Sequence, residues 1–192
     1  NKFLLISLKI TAYNNMEDCL ILVDENDMPC GKLEKSLTHK LGLLHRAFSI
    51  FIFNTKGEML LQQRAMNKYH SAGLWSNACC SHPRFGEELN DAVKRRLYEE
   101  MGLSCKLEYA FNFTYKVNFE NGLTEHEYDH VFIGITNAQP ILNIHEAAAW
   151  KYMSPEDLIL EMTLYPEKFT EWFKIAFTKV SKYNYELNHA SV

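Results

Sequence analysis

The sequence is short of the features that mark several large protein classes. It has no CxxC pair, no internal repeat and no Pro/Ser-rich linker, and holds only 8 Gly and 5 Pro in 192 residues. Collagen-like, mucin-like and low-complexity chains are excluded by that composition. No apolar run approaches the ~18–20 residues of a membrane-spanning helix; AFSIFIF, Ala47–Phe53, has the length of a strand. A large charge of one sign is also missing, since 20 Lys and Arg face 24 Asp and Glu for a formal net charge of -4. Such mild acidity argues against general nucleic-acid binding. Together with an apolar fraction of 47%, it excludes disorder. One domain, with a core that needs no staples, is the expectation.

Five cysteines, Cys19, Cys30, Cys79, Cys80 and Cys105, make an odd set without disulfide spacing. Free thiols in a reducing compartment, the cytoplasm, are expected. The start, NKFLLISLKITAYNN, carries an early Lys and a six-residue FLLISL run, which is short for a secretory signal and lacks an A-x-A cleavage site. The domain is expected to begin at Met16, with residues 1–15 an extension or a remnant of expression and residues 16–192 a single, monomeric domain.

Local patterns outline the elements. Cys19–Asp24 reads as a strand before a turn-rich ENDMPCG, and THKLGLLH reads as a loop. Arg46–Asn54 and Met59–Ala65, joined by TKGE, read as a hairpin, and Leu74–Cys80 as an extended segment. Leu89, Val93, Leu97 and Met101 form a stripe at four-residue spacing, predicting a helix over Leu89–Met101 closed by Gly102. Lys106–Asn118 and Thr124–Thr136, joined through ENG, predict a second hairpin. Ser154 and Pro155 start a short helix as N-cap and first residue, and Pro166–Tyr183 reads as a longer terminal one. Strands and helices mix without a βαβ repeat, so the class is α+β.

One stretch carries chemistry. On the central helix Arg95 and Glu99 share a face, as do Arg96 and Glu100, which by itself reads as two surface ion pairs. Counted from Ser81, however, Glu87, Arg95, Glu99, Glu100, Gly102 and Leu103 match the spacing of the Nudix box. Ser81 stands where that box has its first Gly, and Arg96 where it has the Glu after Arg. The second change removes a carboxylate that Nudix hydrolases use for Mg²⁺, and argues against ordinary hydrolysis. Three further motifs, NACCSHP (Asn77–Pro83), LHRAFS (Leu44–Ser49) and EHE (Glu125–Glu127), resemble in sequence and order those of the type I isopentenyl-diphosphate isomerases. The resemblance covers the chain from about Glu17 to the terminal helix.

It implies a Nudix-type fold, with mixed sheets flanked by helices, that interconverts isopentenyl and dimethylallyl diphosphate. Glu125 and Glu127, two apart in a strand, project to one side. The resemblance joins them to His39, His45 and His82 as a site for a divalent metal, Mg²⁺, Mn²⁺ or Zn²⁺, with Cys80 at its edge. His70, His126, His130, His145 and His189 are read as satisfied or exposed. Cys80 and Glu127 are implied as the acid/base pair, with Tyr115 beside them and Trp172 facing the carbocation; Cys79 is structural. Glu100 is implied to hold Mg²⁺ against the diphosphate, and Lys35, Arg64, Lys68 and Arg96 to clamp it. No flavin or nicotinamide is expected, because no hydride moves and no Gly-rich dinucleotide loop is present. Two other readings remain open at this point: a Nudix hydrolase, which Arg96 speaks against, and a non-catalytic, metal-stabilised domain.

Overall fold

The structure, a computed structural model, describes residues 19–189, with side chains as far as Tyr183. The expectation about residues 1–15 and Met16 falls outside it. Among the described residues, four helices flank a mixed nine-stranded sheet, an α+β arrangement. No helix among them is long and apolar enough to cross a membrane.

β1 (Cys19–Val23) and β2 (Pro29–Glu34) form an antiparallel pair. The first half of the segment read as a loop, Thr38–Leu41, is instead the end of a helix, α1 (Lys35–Leu41). Its cap is unusual: the Glu34 carboxylate accepts from the Ser36 and Leu37 amides at 2.8 and 2.9 Å. β3 (His45–Phe53) runs parallel to β8 (Thr124–Ile135), from His45 opposite Glu127 to Phe53 opposite Ile135. Its other edge pairs with β6 (Cys79–Ser81), Ser49 lying opposite Cys80.

The hairpin expected between β3 and β4 (Met59–Arg64) amounts to a single rung, Phe53 opposite Met59. β4 then leaves to pair with β5 (Trp75–Asn77) and with β9 (Ala147–Met153), a strand the pattern does not announce. The second hairpin, β7 (Leu107–Asn118) with β8, forms as expected. So does α2 (Leu89–Met101), and Gly102 ends it at φ 63° where an added Cβ would meet Ile141 at 2.8 Å. Ser154 caps α3 (Pro155–Leu164), accepting from the Asp157 amide at 3.1 Å. The terminal helix α4 (Glu171–His189) starts later than expected. Pro166–Lys168 make a tight turn, and Phe169 is drawn out to bridge Trp75, with the Thr170 amide donating to the Trp75 carbonyl.

Alternation along β3 feeds two cores. Phe48, Ile50 and Ile52 pack with Val93, Leu97 and Met101 of α2. Phe51 and Phe53 pack with Phe113, Val131 and Ile133 and with Trp172, Phe173 and Phe177 of α4. Each such side chain contributes about 1.5–3 kcal/mol by leaving water. The face under α4 changes character along its length. Beyond Phe51 and Val131 the same two-residue period brings up Ser49 and His45 on β3 and Asp129, Glu127 and Glu125 on β8, with Cys80 beside Ser49.

Candidate active site and metal centre

Four donors converge at that polar end. One ligand atom each from His39, His45, His82 and Glu127 lies within 4.8 Å of the others. The backbone sets the imidazoles. His39 Nδ1 lies 2.7 Å from the Lys35 carbonyl and His45 Nδ1 2.8 Å from the Leu43 carbonyl. A carbonyl only accepts, so both Nδ1 atoms carry hydrogen and both Nε2 atoms present lone pairs. His39 Nε2 is buried without a partner, and His45 Nε2 faces His82 Nε2 at 3.2 Å. Buried lone pairs facing one another are costly unless a cation lies between them. Three imidazoles and a carboxylate suit a divalent first-row metal. The residues present therefore fit the metal that the motifs imply.

Burial pushes His82 down to about 3 and also lowers His39, so both are neutral donors. Burial alone would raise Glu127, but the imidazoles of His45 and His82 beside it outweigh that and hold this carboxyl well below the usual range. The contact from His82 Nε2 to Glu127 Oε1 is 2.9 Å.

Of the five ligands expected from the motifs, His39, His45, His82 and Glu127 lie together, and Glu125 stands at the edge of that quartet. Its two oxygens meet Tyr115 Oη at 2.9 Å and His70 Nε2 at 3.1 Å. Tyr115 also meets Glu127, at 2.6 Å, so one phenolic hydrogen serves two carboxylates. His126 points away to the Gly42 carbonyl, as alternation requires. His70, one of the histidines read as satisfied or exposed, is buried, 6% exposed, and lies against Glu125.

Cys80 is not in the quartet either. Ser49 Oγ stands 3.6 Å from its sulfur and 2.7 Å from Asp129 Oδ2. Burial, then the charges of Glu127 and Asp129, push the Cys80 thiol well above its ordinary value. Asp129, fully buried two residues from Glu127, is likewise driven up by burial and by Glu127. The site thus holds a protonated thiol beside an ionised carboxylate. Cys79 points the other way and is buried in the α2 core.

The basic residues border two cavities. An inner one of about 50 Å³ is lined by Cys80, Glu127, Trp172, Arg64 and Glu100 among others. An outer one of about 260 Å³ shares Lys35, Lys68, Ser81, His82, Arg96 and Glu146 with it and adds Arg84 and Arg95. Arg96 reaches Ser81 Oγ, Glu99, Glu100 and Glu146, at 2.9, 2.9, 2.6 and 3.2 Å. Burial opposes the charge of Arg96, but Glu100 and Glu146 keep the guanidinium firmly protonated. Burial, followed by Lys68 and Arg96, lowers the Lys35 ammonium. Glu100 is buried between Arg96 and the Gln62 amide. Trp172 is both core and wall. It is 1% exposed, its indole N–H donates to Ser76 Oγ at 2.9 Å, and the Arg64 guanidinium lies 5.1 Å from its ring.

Four residues escaped sequence reasoning. Continuing the period of Glu125 and Glu127 by two would have found Asp129, and LHRAFS already contained Ser49. Glu146 and His70 carry no local signal. Glu146 pairs with Lys68 and Arg96 from a loop that backbone bonds tie to the end of α2, Ile141 to Met101 and Asn143 to Glu100.

Comparison with known proteins is consistent with this geometry. The NUDIX domain family model matches residues 43–173. The isopentenyl-diphosphate Delta-isomerase of Pectobacterium atrosepticum is 49% identical over 164 residues, covering 85% of this chain and 92% of the relative. That of Burkholderia multivorans is 51% identical over 158 residues, covering 82% and 90%. Among solved structures, the MutT protein of Methanosarcina mazei superposes with a TM-score of 0.61 at 24% identity, over 73% of this chain and 95% of that one. At that identity it speaks for the fold alone. Domain match and relatives agree, and the chain belongs to the isopentenyl-diphosphate Delta-isomerase family of the Nudix superfamily.

Proposed function

We propose that the chain interconverts isopentenyl and dimethylallyl diphosphate, adding a proton at one end of an allylic three-carbon unit and removing one from the other. The observation that carries this reading is geometric: the Cys80 thiol, pushed up by burial, and the Glu127 carboxylate, held low beside His45 and His82, line one small cavity. The pair holds one proton between them, which is what a reversible shift needs: in either direction one group donates and the other receives.

The other roles follow from the two cavities. Lys35, Lys68 and Arg96 hold the diphosphate in the outer one, and Arg64 sits between head and tail. Glu100, beside Arg96, is the carboxylate for a Mg²⁺ carried in with the diphosphate. The inner cavity takes the hydrocarbon end and excludes the water that would trap a tertiary carbocation. The Trp172 indole stabilises that cation by about 2 kcal/mol. Tyr115 orients Glu127 through its 2.6 Å hydrogen bond. His39, His45, His82 and Glu127, with Glu125 at the edge, hold a divalent metal, Zn²⁺ or Mn²⁺ before Mg²⁺ given three nitrogen donors. When bound, it supplies positive charge that fixes Glu127 and tunes its basicity. We place the protein in the cytoplasm, a reading supported by five free thiols.

The test is incubation with isopentenyl diphosphate and divalent metal in D₂O, followed by NMR. Dimethylallyl diphosphate carrying deuterium is expected. Phosphate release without isomerisation would instead identify a hydrolase, and neither product with metal content verified would reject both.

A further inference from the structure

His70 lies in the loop between β4 and β5 and is buried. Three aromatic rings fix its plane. Phe119 stacks on it at 4.6 Å and 16°, while Tyr69 and Trp172 meet it edge-on at 4.5 and 5.9 Å. The loop is tied from both sides: Arg64 Nη2 donates to the His70 carbonyl at 3.3 Å, and Asn121 Nδ2, from the β7–β8 turn, to the Tyr69 carbonyl at 3.0 Å. So held, the ring aims Nε2 at Glu125 Oε1, 3.1 Å away. The approach is off the line of a hydrogen bond, and this buried nitrogen has no hydrogen-bond partner, so the Glu125 oxygen is the acceptor within its reach. Tyr115 occupies the other oxygen of Glu125, and that phenol already serves Glu127. Of the two groups touching Glu125, only His70 is free to act on it alone.

We propose that His70 is a positioning residue: its Nε2–H fixes the Glu125 carboxylate at the edge of the His39–His45–His82–Glu127 cluster, while the ring braces Trp172, joining the metal site to the wall of the inner cavity. Groups that hydrogen-bond a metal-ligating carboxylate set its orientation, and their loss weakens metal binding about 10–100-fold. The inference rests on the proposed metal site and deepens it.

The experiment measures the dissociation constant for Mn²⁺ by competition with a chromophoric chelator, without substrate, in the full chain. His70→Phe keeps the ring between Phe119 and Trp172 but removes the donor, and is expected to bind Mn²⁺ about 10–100-fold more weakly. His70→Gln returns an N–H near the Nε2 position and is expected to stay within about threefold of wild type. In a Glu125→Gln background, adding His70→Phe is expected to cost less than about threefold more, since both changes remove one interaction. Unaltered binding by His70→Phe, no rescue by His70→Gln, or full additivity with Glu125→Gln would each overturn the proposal. Tryptophan fluorescence of the metal-free variants, each carrying Trp75→Phe and Trp150→Phe, reads the Trp172 environment, so a collapsed loop is distinguished from a lost donor. Wild-type isomerisation is assayed in parallel. Its absence overturns the proposed function, whereas normal turnover with unaltered Mn²⁺ binding by His70→Phe overturns this inference alone.

Discussion

Two sets of carboxylates near the site have different kinds of partner. On α2 and just before it, three acids meet guanidiniums: Glu87 pairs with Arg95, Glu99 with Arg95 and Arg96, and Glu100 with Arg96. On β8 the acids are deeper, and their partners are imidazoles, a phenol and a hydroxyl: His45 and His82 for Glu127, His70 and Tyr115 for Glu125, Ser49 for Asp129. Arg95 and Arg96 offset much of the first set's charge, with Glu100 left to meet a Mg²⁺ as well. The second leaves its charge to be met by a cation or a proton. The buried acids with no guanidinium partner thus lie on the sheet, and the arginine-paired ones on and beside the helix.

The comparison breaks most visibly in catalysis. Cys80→Ala and Glu127→Gln are each expected to lower kcat on the order of 10³-fold or more, because each removes one end of the proton shift. Glu87→Gln, on the arginine-paired side, is expected to change kcat less than about tenfold. Steady-state assays on purified variants with matched unfolding curves check this, and a large loss in Glu87→Gln would return the reaction to the helix acids.

Stability should respond in the reverse order. Arg96→Leu leaves Glu100, 3% exposed, without its counter-charge in the fold. Breaking such a pair costs about 3 kcal/mol, read as a lower urea midpoint at unchanged slope. Glu100→Gln in the Arg96→Leu background should recover part of the loss, since it removes the orphaned charge. No recovery would mean that packing, not charge, holds Arg96.

How much of this contrast could be read in advance follows from which residues carry it. The helix side was legible because its pattern is local: the four-residue stripe, Gly102 and the arginine–glutamate spacing all lie within one element. The β7–β8 hairpin and the Ser154 cap were legible for the same reason. α1 was missed because its cap is a Glu bridging two amides and its length is only seven residues. β9 was missed because AAAWKYM has little strand propensity and is placed by pairing with β4. The period of two in EHE reached Glu125 and Glu127 but gave no view of where a third ring would come from. His70 enters through a loop whose next residue, Ser71, takes φ 50°, a turn that no residue type announces.

Metal removal separates the two sets further. With the divalent ion at about 100 times its dissociation constant, binding adds about 2.7 kcal/mol. Chelation is then expected to lower Tm by about 5–10 °C for a domain of this size. His45→Ala should abolish that shift, and Glu87→Gln should leave it whole. A chelator effect that follows Glu87 instead would assign the resident metal to the helix.

The smallest expected effect is a flat pH response. Exposed imidazoles titrate near pH 6.5, so at pH 5.5 each is about ten parts in eleven protonated, and two of them would weaken metal binding about 100-fold. In this fold burial lowers both His39 and His82, the latter to about 3, and Glu127 lies well below the usual carboxylate range. The sign follows: a lowered imidazole keeps its neutral, metal-binding form as pH falls through 6.5 and yields it only near the lowered value. Mn²⁺ affinity is therefore expected to fall less than about tenfold between pH 7.5 and 5.5. A loss of 100-fold or more over that range would mean that these imidazoles titrate as they do in water. The lone pairs at the polar end of the sheet would then be open to protons, and the contrast with the arginine-held acids of α2 would lose its physical basis.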